Sequence, residues 1–510
     1  MEVAIIGAGF GGIACAIGLI SRGNHDVRLY EAGPGFGGTW MHNTYPGAEV
    51  DTPSIIYSFS FAPAAWSRTH VRQAELRDYL EGVANKHALG PRTRFNTRIS
   101  SVEWQDETQN HQLHADDGSS FRADVVVSAV GLLSDPKLPS WPGMAEFEGP
   151  LFHAARWDHG VDLHGRRVAI VGTGSSAAQL VPALSGIAEQ VTLFQREPGW
   201  VIPKLSREYS DAEREALGVA RANRVARLNM LWNREKGQRG GRVMRPGSPQ
   251  HSAAQAAARR FIETSLAGRP DLIEAVTPQY PFGGKRTIIS DDYYPSLLRE
   301  NVTLVPAAVE RVTAKGLVDS RGARHQVDAI VLATGFSTHF LPTFEVTGRD
   351  GQTLRQFWNG DDRAFLGLMV PGFPNFFMMY GPNTNGGAIV SNLELQADYI
   401  VAAVNRLARG RRRGTIEVSP RAFEWMDRWQ QRKFRGTAYH LANNYYRSAS
   451  GRVTTQWTGG MYSYAMLTKL MRRPFWRIRR VARTAQAPFL PAARTLLGVR
   501  TSTIMKPASE

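Results

Sequence analysis

The sequence predicts an α/β fold of two dinucleotide-binding, Rossmann-like domains, the second inserted in a discontinuous first one, with a helical elaboration. Three observations predict it. An apolar strand pattern runs into G-x-G-x-x-G at Gly7, Gly9 and Gly12. The arrangement returns as G-x-G-x-x-A at Gly172, Gly174 and Ala177. In both places a further strand closes the unit, and the steps from Gly7 to Glu31 and from Gly172 to Arg196 are each 24 residues. A chain of 510 residues is also too long for one ordinary core.

The first unit opens with Val3 to Ile6, a short continuous apolar run of the kind buried in parallel sheets. The glycines after it permit a tight turn and close backbone approach to a pyrophosphate, and the helix that follows, IACAIGLI, turns its positive end toward that group. The second strand, DVRLYE, ends at Glu31, whose carboxylate can accept hydrogen bonds from an adenosine ribose. ADVVVSAVG, from Ala123 to Gly131, reads as a strand returning to the central sheet. FEGPLFHAARWD, from Phe147 to Asp158, has no structural period and reads as a connector.

The second unit repeats the first with one change. Its turn is GTGSSA, which offers Gly172, Thr173, Gly174, Ser175 and Ser176 to a second pyrophosphate, and its closing strand QVTLFQR ends in Arg196 rather than an acid. A carboxylate at that position repels a 2′-phosphate, whereas a guanidinium fork binds one. The first site therefore suits FAD or NAD and the second NADPH. Two charge-assisted contacts would favour NADPH over NADH by roughly 10²–10⁴, and Arg196 supplies one of them. Residues 206–275, rich in Ala, Arg and Glu, read as helices. VDAIVLATG, from Val327 to Gly335, reads as the return to the first sheet. The expected domains are 1–140 and 326–470 for FAD, 141–325 for NADPH with a helical subdomain about 206–275, and a basic tail 471–510.

Composition narrows the function. No apolar run reaches the ~18 residues of a membrane span, and the strand pattern starting at Glu2 leaves no room for a signal peptide, so a cytoplasmic location is expected. The single cysteine, Cys15, excludes a Cys-pair redox site and thus a flavin disulfide reductase. The net charge of +16 is uneven: Met471 to Glu510 holds nine Lys or Arg against one acid, and Arg409 to Arg413 adds RGRRR. No nucleic-acid module accompanies these clusters, so they read as solvated segments without a nucleic-acid partner, and peripheral membrane contact through the tail is not expected.

Together these motifs resemble the flavin-dependent Baeyer–Villiger monooxygenases. The family's fingerprint, F-x-G-x-x-x-H-x-x-x-W followed by Pro or Asp, is matched by Phe147, Gly149, His153, Trp157 and Asp158. A second signature is matched by Gly37, Gly38, Trp40, Tyr45, Pro46, Gly47 and Asp51. PFGGKRTIISDDYYPSLLRENV is similar to the segment that gives a Lys-Arg pair to the active site. The resemblance implies FAD and NADPH as cofactors, no metal, and a reaction of O₂ with a ketone, through a flavin C4a-peroxide, to an ester or lactone. It also implies that Lys285 is the second 2′-phosphate contact, and that Arg286 reaches the flavin and stabilises the peroxide anion and the oxyanion formed on the substrate. Asp51 would orient Arg286. Trp40 and Tyr45 either pack on the flavin or are core aromatics. Asn383, in the GPNTN turn, is placed near the flavin, and Trp457 in a mobile loop over the coenzyme. His153 and Trp157 are assigned to a hinge between domains. Oxygenation of nitrogen or sulfur is the alternative, against which Trp157, Asp51 and Arg286 argue together. The ketone and the oligomeric state are not legible.

Overall fold

The structure is a computed structural model that describes residues 1–341, 343–409 and 414–480. The RGRRR cluster beyond Arg409 and the tail beyond Arg480 lie outside the described residues.

Strand β1 (Glu2–Ile6), helix α1 (Phe10–Gly23), strand β2 (Asp26–Tyr30), strand β3 (Thr93–Arg94) and strand β4 (Val125–Ser128) form the first unit. Its sheet has the order Phe376–Met378, β4, β1, β2, β3, with every pair parallel. Val3, Ile5 and Val125 to Val127 are almost wholly buried, as expected for a parallel sheet covered on both faces. An antiparallel meander, Ile99–Gln105, Asn110–Ala115 and Ser120–Ala123, lies between β3 and β4.

The second unit repeats this plan with β5 (Leu151–His153), β6 (Arg167–Val171), helix α2 (Ser175–Leu184), β7 (Gln190–Phe194), β8 (Val302–Val305) and β9 (Ala329–Leu332). Its sheet order is β8, β7, β6, β9, β5, again all parallel. A second antiparallel meander, Val309–Thr313, Gly316–Asp319 and Arg324–Gln326, precedes β9 as the first precedes β4. The insertion between β7 and β8 is helical, as expected for 206–275: Asp211–Gly218, α3 (Ala220–Gln238), Pro249–Ser265 and Pro270–Val276.

Two expectations are corrected here. The strand in VDAIVLATG does not return to the first sheet. Paired with β6 and β5, it is the second unit's own counterpart of β4, so the boundary at 326 falls too early. The two strands have the same four-residue buried pattern, and burial alone does not say which sheet a strand joins. Pairing with first-unit strands resumes at Glu345–Thr347, and Phe376–Met378 then enters the first sheet. The basic tail, expected from 471, instead begins with a strand, Trp476–Arg480, antiparallel to Gly414–Val418. Trp476 and Ile478 pack inward between outward arginines, and the Trp476 indole donates to Tyr399 Oη at 2.6 Å. The chain then closes with α4 (Ile389–Ala408) against α1, and with α5 (Met461–Leu470) against α4.

His111, in the first meander, is 1% exposed, and its Nε2 donates to Pro374 O at 2.9 Å, fastening the approach to the returning strand. Burial pulls its pKa down to about 4. The unfolded chain, titrating near 6.5, therefore binds more protons between these values, and stability falls as pH drops through that window. His111→Phe should be less stable at pH 7 through the lost bond. Its melting temperature should nevertheless fall less steeply from pH 6.5 to 4, since up to roughly 3 kcal/mol of proton linkage is removed.

Candidate active site

Both glycine turns open on one cavity of about 1120 Å³. Gly7 has φ +104°, and a Cβ there would lie 2.6 Å from Ala129 O at the end of β4. Gly172 has φ +121°, and its Cβ would lie 2.2 Å from Ala333 O at the end of β9. Each turn is thus pressed on its own unit's returning strand, which only glycine allows. Helices α1 and α2 start at Gly9 and Gly174 with neither a capping side chain nor an acid in the first turn. Their first N–H groups are left for an anion, and Gly174 has open space where a side chain would stand. Two such cradles fit the diphosphates of two dinucleotides.

The strand ends carry the opposite charges expected of them. Glu31 lines the cavity, and its two oxygens accept the N–H groups of Ala8 and Gly33, each at 2.7 Å. Arg196 is exposed at the other end beside Thr173, Ser175 and Ser176. Lys285 also lines that end, paired with Glu197 and 5.1 Å above the Tyr280 ring.

The segment 37–51 crosses from the first unit to the second. Gly38, at φ +54°, sits so close to Gly9 that an added Cβ would meet its Cα at 2.9 Å. Trp40 lines the cavity and donates to Tyr57 Oη at 3.3 Å. Tyr45 lines it too, and donates to Gln179 Oε1 on α2 at 2.8 Å, while Gln179 Nε2 donates to Glu49 O at 2.9 Å. Gly47, at φ +81°, leaves 2.7 Å between a would-be Cβ and Gln179 O. The segment is therefore laid flat on α2 before it delivers Asp51.

Asp51 meets Arg286 there, with Arg286 Nη2 donating to Asp51 Oδ2 at 2.5 Å. Burial pushes the Asp51 carboxyl up, but Arg286, with Lys204 and Arg234 behind it, more than reverses this and holds it below the usual carboxylate range. The carboxylate in turn raises Arg286 well above its ordinary value. With 36% of its side chain exposed, Arg286 still faces the cavity. A second ion pair beside it, Glu49–Lys204, carries no signal in the sequence. Lys204 Nζ, 2% exposed, lies 2.6 Å from Glu49 Oε1 without hydrogen-bond geometry. Asp291 fixes the turn carrying Lys204 by accepting the N–H groups of Lys204, Leu205 and Ser206 at 2.7, 2.9 and 2.9 Å. Both pairs join the first unit to the second. Burial and the Lys204 charge lower the pKa of nearby His70 to about 4, so it is neutral at pH 7.

Two expected site residues do not line that cavity. Asn383 is 1% exposed and spends its amide on Val453 O and Gln456 O, at 2.8 and 3.1 Å. Trp457 is 4% exposed, packs between Trp429 and Tyr464, and does not line the cavity. These two segments bridge each other at Asn385 and Gln456, so their polarity is consumed in mutual support. Neighbouring Tyr380 and Tyr445, which the sequence did not single out, are the ones that line the wall. The fingerprint is not an unpatterned connector. It forms β5 and a short turn, with Gly149 so close to Asp328 that a Cβ would lie 2.3 Å from its carbonyl oxygen. Phe147 joins the core beneath that sheet, and Trp157 packs edge-on against Phe152 at 5.1 Å.

His153 fastens a crossing. Segments 135–137 and 334–337, which lead out of the first unit and back to it, run side by side through a Pro136–Phe336 bridge and a Ser337 N–H bond to Asp135 O at 2.8 Å. Gly335 O accepts both Lys137 N–H at 2.9 Å and His153 Nε2–H at 3.0 Å. Ala155 N–H donates to the other ring nitrogen at 3.1 Å, and burial lowers the imidazole's pKa. With both nitrogens occupied, His153 is not a free base.

A family model described as pyridine nucleotide-disulphide oxidoreductase matches residues 1–222. The only cysteine, Cys15, is buried with its thiol pushed up to about 12, so the likeness is one of fold rather than of disulfide chemistry. A Baeyer–Villiger monooxygenase of Streptomyces coelicolor is 39% identical over 466 residues, 90% of this chain and 89% of that protein. Among solved structures, a closed crystal structure of cyclohexanone monooxygenase superposes with a TM-score of 0.85 at 27% identity, over 94% of this chain and 99% of the other. An oxidized steroid monooxygenase bound to NADP gives 0.82 at 30% identity, with the same coverage.

The buried pair Glu49–Lys204 gives a test of the junction. Lys204→Met leaves a carboxylate without its counter-ion beside Asp51 and should cost about 3 kcal/mol of stability. Combining it with Glu49→Leu should restore most of the loss, a coupling that a double-mutant cycle of thermal unfolding measures.

Proposed function

Because the chain belongs to the Baeyer–Villiger monooxygenases, we propose that this cavity converts a ketone to an ester or lactone, with Arg286 as its catalytic cation and Asp51 as the residue that holds it. FAD occupies the first glycine turn and NADPH the second, and O₂ is the co-substrate. Overall, ketone, O₂, NADPH and a proton give ester, NADP⁺ and water. The observation that carries the reading is the Asp51–Arg286 pair, set in a cavity on which both glycine turns open.

When bound, the flavin supplies hydride acceptance from NADPH and the activation of O₂. The chain supplies the electrostatics. Arg286 keeps its charge at any working pH, so it stabilises negative charge on the substrate's carbonyl oxygen without giving up a proton. Asp51, held ionised by Arg286, Lys204 and Arg234, fixes the direction of the guanidinium. Arg196 and Lys285 hold the 2′-phosphate, and Lys285 exchanges Glu197 for it. The wall of Trp40, Tyr57 and Tyr380 excludes water from the reacting centre. The FAD-binding parts are the segments flanking the second unit. The crossing fastened by His153 is the hinge about which that unit changes position between hydride transfer and oxygen insertion.

Two measurements test this reading. Arg286→Ala should still allow NADPH to reduce the bound flavin, while ester formation, followed by mass spectrometry of a ketone panel, should fall by about 10²–10³. An unchanged ester yield would remove Arg286 from its role. Replacing both Arg196 and Lys285 by Ala should lower the NADPH/NADH ratio of kcat/KM by roughly 10²–10⁴.

A further inference from the structure

Helix α3 is used on one side only. Its inner face buries Asn223, Arg227 and Leu231, and Arg227 donates to Ile55 O and Ser58 O at 2.9 and 2.7 Å. Its outer face carries Val225, Leu228 and Trp232, 55%, 51% and 51% exposed, at spacings of three and four that align them in one stripe. Helix α5 presents Tyr462, Met466 and Leu470, 41%, 55% and 65% exposed, at strict spacings of four. The rings of Trp232 and Tyr462 meet edge to face at 6.0 Å, so the two stripes form one apolar surface. Such a surface on a folded protein marks an interaction site.

Its edges are basic. Arg221, Arg224 and Lys236 on α3, Lys469 on α5 and Arg473 just beyond are all exposed, and the Lys236 ammonium stands 5.2 Å above the Trp232 ring. The only acid in either helix, Glu235, accepts the Met461 N–H at 3.0 Å. We infer that this surface docks on an anionic phospholipid bilayer. The apolar stripe enters the boundary between headgroups and acyl chains, the amphipathic Trp232 and Tyr462 sit at headgroup level, and the rim meets lipid phosphate. Charge selects this occupant over the alternatives. A second copy would bring two basic rims together on molecules of net charge +16. Residues 481–510 hold four Lys or Arg and one acid, again the sign of the rim. A lipid surface accepts the rim, and the apolar stripe with its basic rim gives the two signals that stable peripheral binding requires. On the inner side of the same helix Arg234 acts on Asp51, so docking sets the cavity one helix away from the bilayer.

The test is co-sedimentation of the full-length, FAD-loaded protein with vesicles of equal parts phosphatidylglycerol and phosphatidylcholine, against vesicles of phosphatidylcholine alone. Binding should be about tenfold weaker to the neutral vesicles, and should fall steeply towards about 1 M salt, where the screening length is about 3 Å. Leu228→Asp combined with Trp232→Asp should weaken binding to the anionic vesicles about tenfold or more with an unchanged melting temperature. Binding indifferent to lipid charge or to this pair of changes would overturn the proposal. So would a wild-type oligomer, seen by sedimentation equilibrium without vesicles, that the double variant dissociates, since a second copy would then cover the stripe. Vesicle binding gained only on truncation after Arg480 would assign the stripe to the chain's own tail and overturn it equally.

Discussion

A guanidinium one-third exposed in a cavity, facing a carboxylate that belongs to the other nucleotide-binding unit, is the contact around which this molecule is arranged. Neither partner can be placed by its own unit alone. Asp51 arrives at the end of a segment that starts against the first glycine turn, at Gly38, and is then pressed on α2 of the second unit through Gly47, Tyr45 and Glu49. Arg286 stands just before a short strand, Ile288–Ile289, paired with Val201–Ile202, and Lys204 follows that neighbouring strand. The Glu49–Lys204 pair therefore repeats, two residues away along the segment and in nearly dry surroundings, the same junction that Asp51–Arg286 makes at the cavity wall. Two cations from the second unit bind two anions from the first. The second pair holds the junction where the first must stay open to ligands.

The two units are variations on one plan. Each has a glycine turn resting on the end of its returning strand, an uncapped helix, and an antiparallel meander before that strand. Their difference lies at the end of the second strand. Glu31 is occupied by backbone N–H groups at the first turn, while Arg196 stands exposed at the second. In the proposed reading, this one position separates a site that excludes a 2′-phosphate from one that attracts it, on the same plan of fold.

What the sequence made legible is what is local in it. Glycine turns, the acid or base 24 residues later, and the helical run 206–275 depend on neighbours along the chain, and all are where their patterns place them. The strand at Ala329–Leu332 was legible as a strand but not as a member of the second sheet, because a four-residue buried run has the same appearance in either. The pairing of the Asn383 and Trp457 segments is hidden for a related reason: a polar turn and a Trp-Gly stretch advertise a bend, and only the fold shows that the two support each other. The strand at Trp476–Arg480 was hidden by its arginines, since only two inward residues, Trp476 and Ile478, carry its period. Lys204 was invisible because an isolated lysine in a sequence is presumed solvated. Its burial depends on Glu49, more than 150 residues earlier.

The fingerprint stretch joins these threads. Its residues look unrelated in sequence because each answers a different neighbour: Gly149 lies against Asp328, Trp157 against Phe152, and His153 reaches Gly335. Gly335 O already holds Lys137, so His153 binds the point where the outgoing and returning chains cross. In the proposed reading the two units change position about this crossing, so the chain must turn there while its outgoing and returning segments stay fastened together. An imidazole with both nitrogens engaged, its pKa lowered by burial, favours the neutral, directional form there. A lysine in its place would bring a charge that burial disfavours, and a serine would not span the distance from β5 to the carbonyl. In that reading, the need for a neutral, two-ended link between the crossing segments accounts for histidine at this position.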